Sequence, residues 1–524
     1  MTEGFPSAPP PAPGPPFPGP YQPPAPAGSY QPPASAGSYP PPPQPTLAGP
    51  YPRPAGPYGP PAMPYGPPPV PPPAGKKSKR WLWITLTAVV VVLALCAGSL
   101  TVVAQQLDRL TAGAAADDER GPIKPAEIEA LLNGHTRALG KRDLAAFTAP
   151  FDKKLVARQT ILFRNLLKVP FAEARFAKFR QGPFTTVGAG WSVELTLSFV
   201  HRFEYDLAPV DELYTWTVVR ARAGAPLSVI AVGHLPKGWT APELSYHPAP
   251  WDRWRNLHVE KTAHTVLIVD ASLRTQARRY APIAERAAVA DLAAWRAGGG
   301  FDQIPQGFVY SLVKGKKELG ALYQSGQKGG RSESAITIPF VPTTTDERYE
   351  DGPDHGASRV VVDVVDPYFF QSGDRDLPPE LFRHEFAHAM ADNIAGHDRE
   401  EFNLDGLQNW VTEGFAEYVG HQKQSWMRSD LTADGRDLLR TLGYDVSLPT
   451  NDDWDLSGRV NYHYWLAHSA MSFVADRYGD RKVFDLVDTH YRGKKIEEAV
   501  QQVLGLSYDE FTERWSAYVV AKAR

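Results

Sequence analysis

Three residues in the run LFRHEFAHAMADNI carry the strongest chemical signal in the chain: His384, Glu385 and His388. On a helix, positions i and i+4 lie one turn apart on a single face, so both imidazoles can reach one Zn2+ at about 2.1 Å. Glu385, one position round from the first histidine, can lean over the open coordination site. There it can take a proton from metal-bound water and pass it to a leaving amine. H-E-x-x-H is thus the spacing of a metallohydrolase helix, and a chance match in a chain of this composition is expected on the order of 0.02 times. The competing account is two histidines packed on a core-facing helix. A third protein ligand is needed for the catalytic reading, and its identity separates the metallohydrolase classes.

The metzincin class would need Gly and His at the third and sixth positions after the second histidine, where Ala391 and Ile394 stand instead. Downstream comes NWVTEGFAEYVG, an amphipathic segment with Glu413 and Glu417 again spaced i, i+4 and with Trp410, Phe415 and Tyr418 around them, which argues against a solvated face. HEFAH, followed by W-V-T-E-G-F-A-E-Y with its first glutamate 25 residues after His388, resembles the gluzincin metallopeptidases, and most closely the membrane-associated peptidase MA-like families. The resemblance covers roughly residues 360–520, including NYHYWLAHSAMSFVADRYG and LGLSYDEFTERW. It implies Zn2+ as the cofactor, a peptide or protein as the substrate, and Glu413, the glutamate before the glycine, as the third metal ligand. It also implies that Glu417 hydrogen-bonds the far nitrogen of a ligating histidine and fixes its tautomer. A tyrosine or histidine opposite the metal would stabilise the oxyanion; Tyr462 and Tyr464 are the candidates, and Tyr464 is preferred. No counterpart of the aminopeptidases' glycine-rich motif is seen, so endopeptidase is the expected activity.

Other chemistries fare worse. The sequence has no G-x-S-x-G elbow and no phosphate-cradling glycine loop, and its one cysteine, Cys96, lies in an apolar run. One cysteine also rules out an intramolecular disulfide or a cysteine metal cluster. His397, His421 and His468 read as scattered structural or surface residues. Asp392, one turn beyond His388, is the alternative orienting partner to Glu417, and Asp392 or His397 would be the next ligand candidates should Glu413 fail. A net charge of −3 argues against nucleic acid as a partner.

The elements that must position these groups lie in two regions with a break near residue 245. Residues 124–245 open with a helical pattern (Ile128, Leu131, Leu132, Leu139, Leu144, Phe147), continue through an expected helix over 155–179, and then turn to strands. In SVELTLSFVHRFEY the odd positions Val193, Leu195, Leu197, Phe199, Phe203 and Tyr205 are apolar and the even ones mostly polar, the period of a half-buried antiparallel strand, and further strands are expected at 214–220 and 227–232. Helices followed by a curved sheet resemble the cone-shaped NTF2-like fold, here read as a spacer or binding module. Residues 255–524 carry strand signals at 264–270, 308–313, 335–341 and 360–365 and a helix up to Ala297, then read as helix beyond 378. The expected class is α+β, a mixed sheet followed by a helical subdomain.

The front of the chain is different in kind. Of 52 prolines, 32 fall in residues 1–73, interleaved with Gly, Ala and Tyr, so 1–75 is expected to be a disordered tail with polyproline II character. It could serve a proline-motif-binding partner. Residues 81–104 hold no charge and would span roughly 36 Å as a helix, enough for one membrane crossing. Lys76, Lys77, Lys79 and Arg80 precede the span, while 105–116 carry only Asp108 and Arg109. The positive-inside rule therefore puts the tail in the cytoplasm and, after a linker over 105–123, the folded regions outside. The resulting expectation is a single-pass, extracytoplasmic zinc peptidase; the alternative is an inactive metallopeptidase-like binding or scaffold protein.

Overall fold

The computed structural model describes residues 123–233, 246–299, 306–323, 333–343, 355–394, 406–422, 424–455 and 459–524. The expected tail over 1–75 and membrane span over 81–104 lie outside them; among the described residues, no helix is long and apolar enough to cross a membrane. The class is α+β with two sheets.

Three helices come first: α1 (Pro125–Gly140), α2 (Leu144–Thr148) and α3 (Lys153–Leu166). The helix expected over 155–179 stops early, and its second half is a strand, β1 (Glu173–Gln181). Pro170 explains the break, because the residue before a proline is pushed out of the helical region, and EARFAKFRQ then pairs antiparallel with the next long strand. The other strands of this sheet are β2 (Thr185–Val187), β3 (Gly190–Arg202), β4 (Val210–Arg220) and β5 (Ser228–Gly233), in the order β1-β3-β4-β5 with β2 on β3. The odd-numbered Val193, Leu195, Leu197 and Phe199 are buried as expected, but Thr196, Ser198 and Val200 are buried too, so β3 is covered on both faces and is not half-buried.

A short helix, α4 (Pro250–Arg253), leads into the second sheet: β6 (Leu257–Lys261), β7 (Thr265–Asp270), the long helix α5 (Arg274–Gly298), β8 (Phe308–Val313), α6 (Lys316–Leu319), β9 (Ala335–Phe340) and β10 (Ala357–Asp363). The order is β6-β7-β8-β10-β9, parallel at β7-β8 and β8-β10 and antiparallel at both flanks. Sequence reading missed β2 and β6, both too short to show a period. Alternation along the central strands divides the core. Leu267, Val269, Tyr310, Leu312, Val360 and Val362 join the cluster built with the helices, whereas Val266, Ile268, Val309, Val313 and Val361 join a second cluster together with Val193, Leu197 and Trp216 of the first sheet. Strands buried on both faces read as continuous apolar runs, which is what TVLIV and VVV are. Ile123, the last residue of the expected linker, belongs to this shared core. A buried bidentate ion pair, Arg359 Nη1 and Nη2 to Asp206 Oδ1 and Oδ2 at 2.7 Å each, ties β10 to the chain leaving β3.

The helical subdomain contains α7 (Leu377–Asp392), α8 (Asn409–Gly420), α9 (Thr432–Thr441), α10 (Val460–Tyr478), α11 (Asp480–Tyr491), α12 (Ile496–Leu504) and α13 (Tyr508–Ala523). Pro378 and Pro379 suit the first turn of α7, where missing N–H groups cost nothing. Phe382, Phe386 and Met390 bury its inner face, with Phe386 stacked on Phe308 at 4.2 Å. Arg383 is held by buried Asp291 of α5 at 2.8 Å.

Candidate metal centre

With one face of α7 committed to the core, His384 and His388 emerge together on another, and α8 crosses that face with Glu413 and Glu417. On its other side α8 packs closely on α10 because residue 414 is glycine: a Cβ there would come 2.5 Å from the Ala467 carbonyl oxygen of α10. At the far end of α8, Gly420 brings the helix against His384 itself.

The structure brings His384, His388 and Glu413 to one point. Nε2 of His384 and Nε2 of His388 are 3.1 Å apart, and Glu413 Oε2 lies 3.3 Å from each. Four-coordinate zinc with bonds of about 2.0–2.1 Å needs ligand atoms about 3.3–3.4 Å from one another, so the triangle matches one face of that tetrahedron. The donor chemistry agrees. Glu413 Oε2 is buried without a hydrogen bond, and its neighbours are ring nitrogens of which at least one must offer a lone pair to the other. Lone pairs converging in this way suit a divalent cation held by two imidazoles and a carboxylate.

Glu417 stands behind His384. Its Oε1 is 3.0 Å from His384 Nδ1, which places the proton on Nδ1 and leaves the Nε2 lone pair facing the triangle. Glu385 is buried beside the triangle, and one of its oxygens accepts a hydrogen bond from the Thr337 hydroxyl on β9 at 2.7 Å. Burial raises its carboxyl above the ordinary value, opposed by the positive fields of His384 and His388. A group so placed is suited to exchanging protons.

Of the two candidate tyrosines, Tyr464 lies nearer the centre. Its ring is 6.0 Å from that of His384 and is held edge-on by Trp454 at 4.9 Å. Burial, followed by the charges of Glu413 and Glu417, keeps its phenol protonated far above the usual range. Tyr462 stacks on Trp465. Asp392 is not brought into the triangle; its Oδ2 accepts from Ser358 at 3.1 Å, and burial pushes its carboxyl up to about 6 against the pull of His388. His397 lies outside the described residues. His421 and His468, read from sequence as scattered, sit together behind Glu417. His421 Nε2 is 3.1 Å from Glu417 Oε2, and the His468 ring lies parallel to that of His421 at 5.0 Å. Sequence reasoning also missed Thr337, whose only signal is a lone hydroxyl in the apolar strand AITIPF.

No known protein-family model matches the chain, and no curated protein matches it significantly.

Proposed function

We propose that the chain is a zinc-dependent endopeptidase of the gluzincin kind. The observation that supports this reading best is the triangle of two imidazole nitrogens and one carboxylate oxygen, 3.1–3.3 Å on a side, with Glu385 buried next to it. His384, His388 and Glu413 would hold the metal. A bound zinc ion would lower the pKa of a water to about 7 and polarise a carbonyl.

The chain's own residues then have separate tasks. Glu385 accepts a proton from the attacking water and returns it to the peptide nitrogen as the C–N bond breaks. Thr337 holds one Glu385 oxygen in place, and Tyr464 is a neutral phenol able to donate a hydrogen bond to the carbonyl oxygen as charge builds there. β9 carries Thr337 and is the last strand of its sheet, so an extended substrate can add to that edge through main-chain hydrogen bonds and lie across the centre. Such a mode accepts internal stretches of a chain, which favours endopeptidase. The same reading includes an NTF2-like fold for 124–245, one membrane span at 81–104 and a cytoplasmic proline-rich tail open to a proline-motif-binding partner.

The test is metal analysis joined to turnover. The purified full-length chain should hold one zinc and cleave an unstructured protein substrate, and Glu385→Gln should keep the zinc while losing at least ~10²-fold in kcat. A wild-type chain that folds but takes up no zinc would end this reading in favour of an inactive scaffold.

A further inference from the structure

The helices α7 and α8 face each other through a ladder that is longer than the metal centre. On α7, Glu380, His384 and His388 follow at one-turn intervals; Glu413 and Glu417 on α8 and His421 at its C-cap do the same. The rungs are His388 with Glu413 at 3.3 Å, His384 with Glu417 at 3.0 Å, and Glu380 with His421 at 3.7 Å. The third rung has reversed polarity and contains no residue assigned to the metal. His421 connects it to the second rung, because its Nε2 meets the Glu417 oxygen that His384 does not use.

We propose that His421, braced by Glu380, is a positioning residue of the metal centre: it fixes the Glu417 carboxylate, and Glu417 in turn aims the His384 imidazole. The inference rests on the zinc reading above. Glu417 has two oxygens, one spent on His384 Nδ1 and one on His421 Nε2. With only one partner a carboxylate swings about its last torsion; with both it is pinned, and the direction of the His384 lone pair is pinned with it. His421 is itself held on both sides, by carboxylates at its two nitrogens and by the parallel ring of His468 against its face. At Gly420 the helix end lies in ordinary contact with α7, a Cβ there falling 3.4 Å from the Glu380 carbonyl oxygen and 3.5 Å from His384 Cβ.

Glu417, His421 and His468 could also be read as ligands of a second cation, because their donor atoms lie within 4.8 Å of one another and His468 is buried with both ring nitrogens unpaired. Against that, the Glu417 and His421 donor atoms already satisfy each other, and the second His421 nitrogen faces Glu380. The Nε2 of His421, which faces the shared point, already donates to Glu417, and a donated proton leaves no lone pair there for a metal.

The experiment is zinc titration of the metal-free full-length chain against a competing chelator, with visible spectra of the Co2+-loaded forms. His421→Phe keeps a ring on His468 but removes both donors. It should raise the zinc Kd about 3–10-fold, less than loss of a direct histidine partner, and shift the Co2+ bands. His421→Gln restores one donor to Glu417 and should recover most of the affinity. Glu380→Ala, at the partly exposed end of the ladder, should weaken zinc about 2–3-fold and supplies the same reading if His421→Phe fails to fold. Wild-type affinity and spectrum in His421→Phe, with one zinc bound, would overturn this inference and leave the zinc reading standing. Two zinc ions in the wild type and one in His421→Phe would overturn it by making His421 a ligand. No zinc in the wild type would overturn both.

Discussion

The approach of α8 to α10 at Gly414 sets where Glu413 stands, and a glycine-to-alanine series tests it without recourse to activity. At Gly414 an added Cβ would lie 2.5 Å from the Ala467 carbonyl oxygen and 2.8 Å from its carbon, both backbone atoms that no rotamer change can move. Ordinary carbon–oxygen contact is about 3.3–3.5 Å, so the helices must part by nearly 1 Å, an overpacking that costs about 1–3 kcal/mol. Alanine in a helix returns about 1 kcal/mol of propensity, so the net loss is about 0–2 kcal/mol. For a folded region of roughly 400 residues that corresponds to at most about 2 °C in Tm. At Gly140, the last residue of α1, nothing lies within 4 Å, and the same substitution should be neutral or stabilising by up to about 1 kcal/mol. Gly420, whose nearest atoms at 3.4–3.6 Å are at ordinary contact distance, should tolerate alanine much as Gly140 does. Because Glu413 adjoins Gly414, zinc affinity should fall along with stability in Gly414→Ala alone. Differential scanning fluorimetry of the metal-free chains and zinc titration check both limbs. A Gly414→Ala protein as stable as Gly140→Ala, with wild-type zinc affinity, would refute the idea that this contact positions the ligand.

A ligand and its orienting partner should fail differently: Glu413→Ala should lose zinc, while Glu417→Ala should weaken metal affinity or activity about 10–100-fold, both read by metal analysis. If Glu413→Ala keeps stoichiometric zinc and Glu417→Ala loses it, the two roles are exchanged. Asp206→Ala strands the buried Arg359 guanidinium and should cost about 3–5 kcal/mol in urea unfolding, whereas Asp206→Ala combined with Arg359→Met should recover most of that; equal losses in the two proteins would contradict a burial penalty. Burial, opposed by the hydrogen bond from Tyr214, pushes the Asp252 carboxyl up to about 6. A carboxyl raised in the folded state contributes stability below its unfolded pKa of about 4 and loses it as pH rises through 6, so Asp252→Asn should gain on the wild type between pH 4 and 7. A constant difference across that range would show that Asp252 titrates normally.

Much of the fold was legible because burial on both faces writes unmistakable runs such as TVLIVD and FVYSLV, and because a 25-residue helix, α5, carries its own periodicity. The failure at β1 has a specific physical origin. In EARFAKFRQ only Phe176 is fully buried and the remaining positions are half-covered or exposed, so the alternation that marks a strand is too shallow to compete with the helical pattern running into it from α3. Pro170 was the available stop signal. The shared core between the two sheets was not legible at all, because alternate residues of one strand, Val266 and Leu267 for example, are equally apolar while serving different clusters.

The centre itself divides along the same line. His384, Glu385 and His388 are local in sequence, and a single helix suffices to say what they face. Glu413 and Glu417 needed a second helix, and their i, i+4 spacing supplied the hint that both look the same way. His421 extends that spacing by one more turn, as Glu380 does on α7, but a histidine four residues after a glutamate is common on solvated helices, so spacing alone could not separate it from a surface pair. Packing made the distinction: Gly414 lets α8 lie closely against α10, while the end of α8 at Gly420 rests in ordinary contact on α7 beside His384. In this chain the groups suited to proton and metal chemistry were written as charged letters, while the seating of the helix that carries Glu413 and Glu417 against α10 depends on Gly414, a residue with no side chain at all.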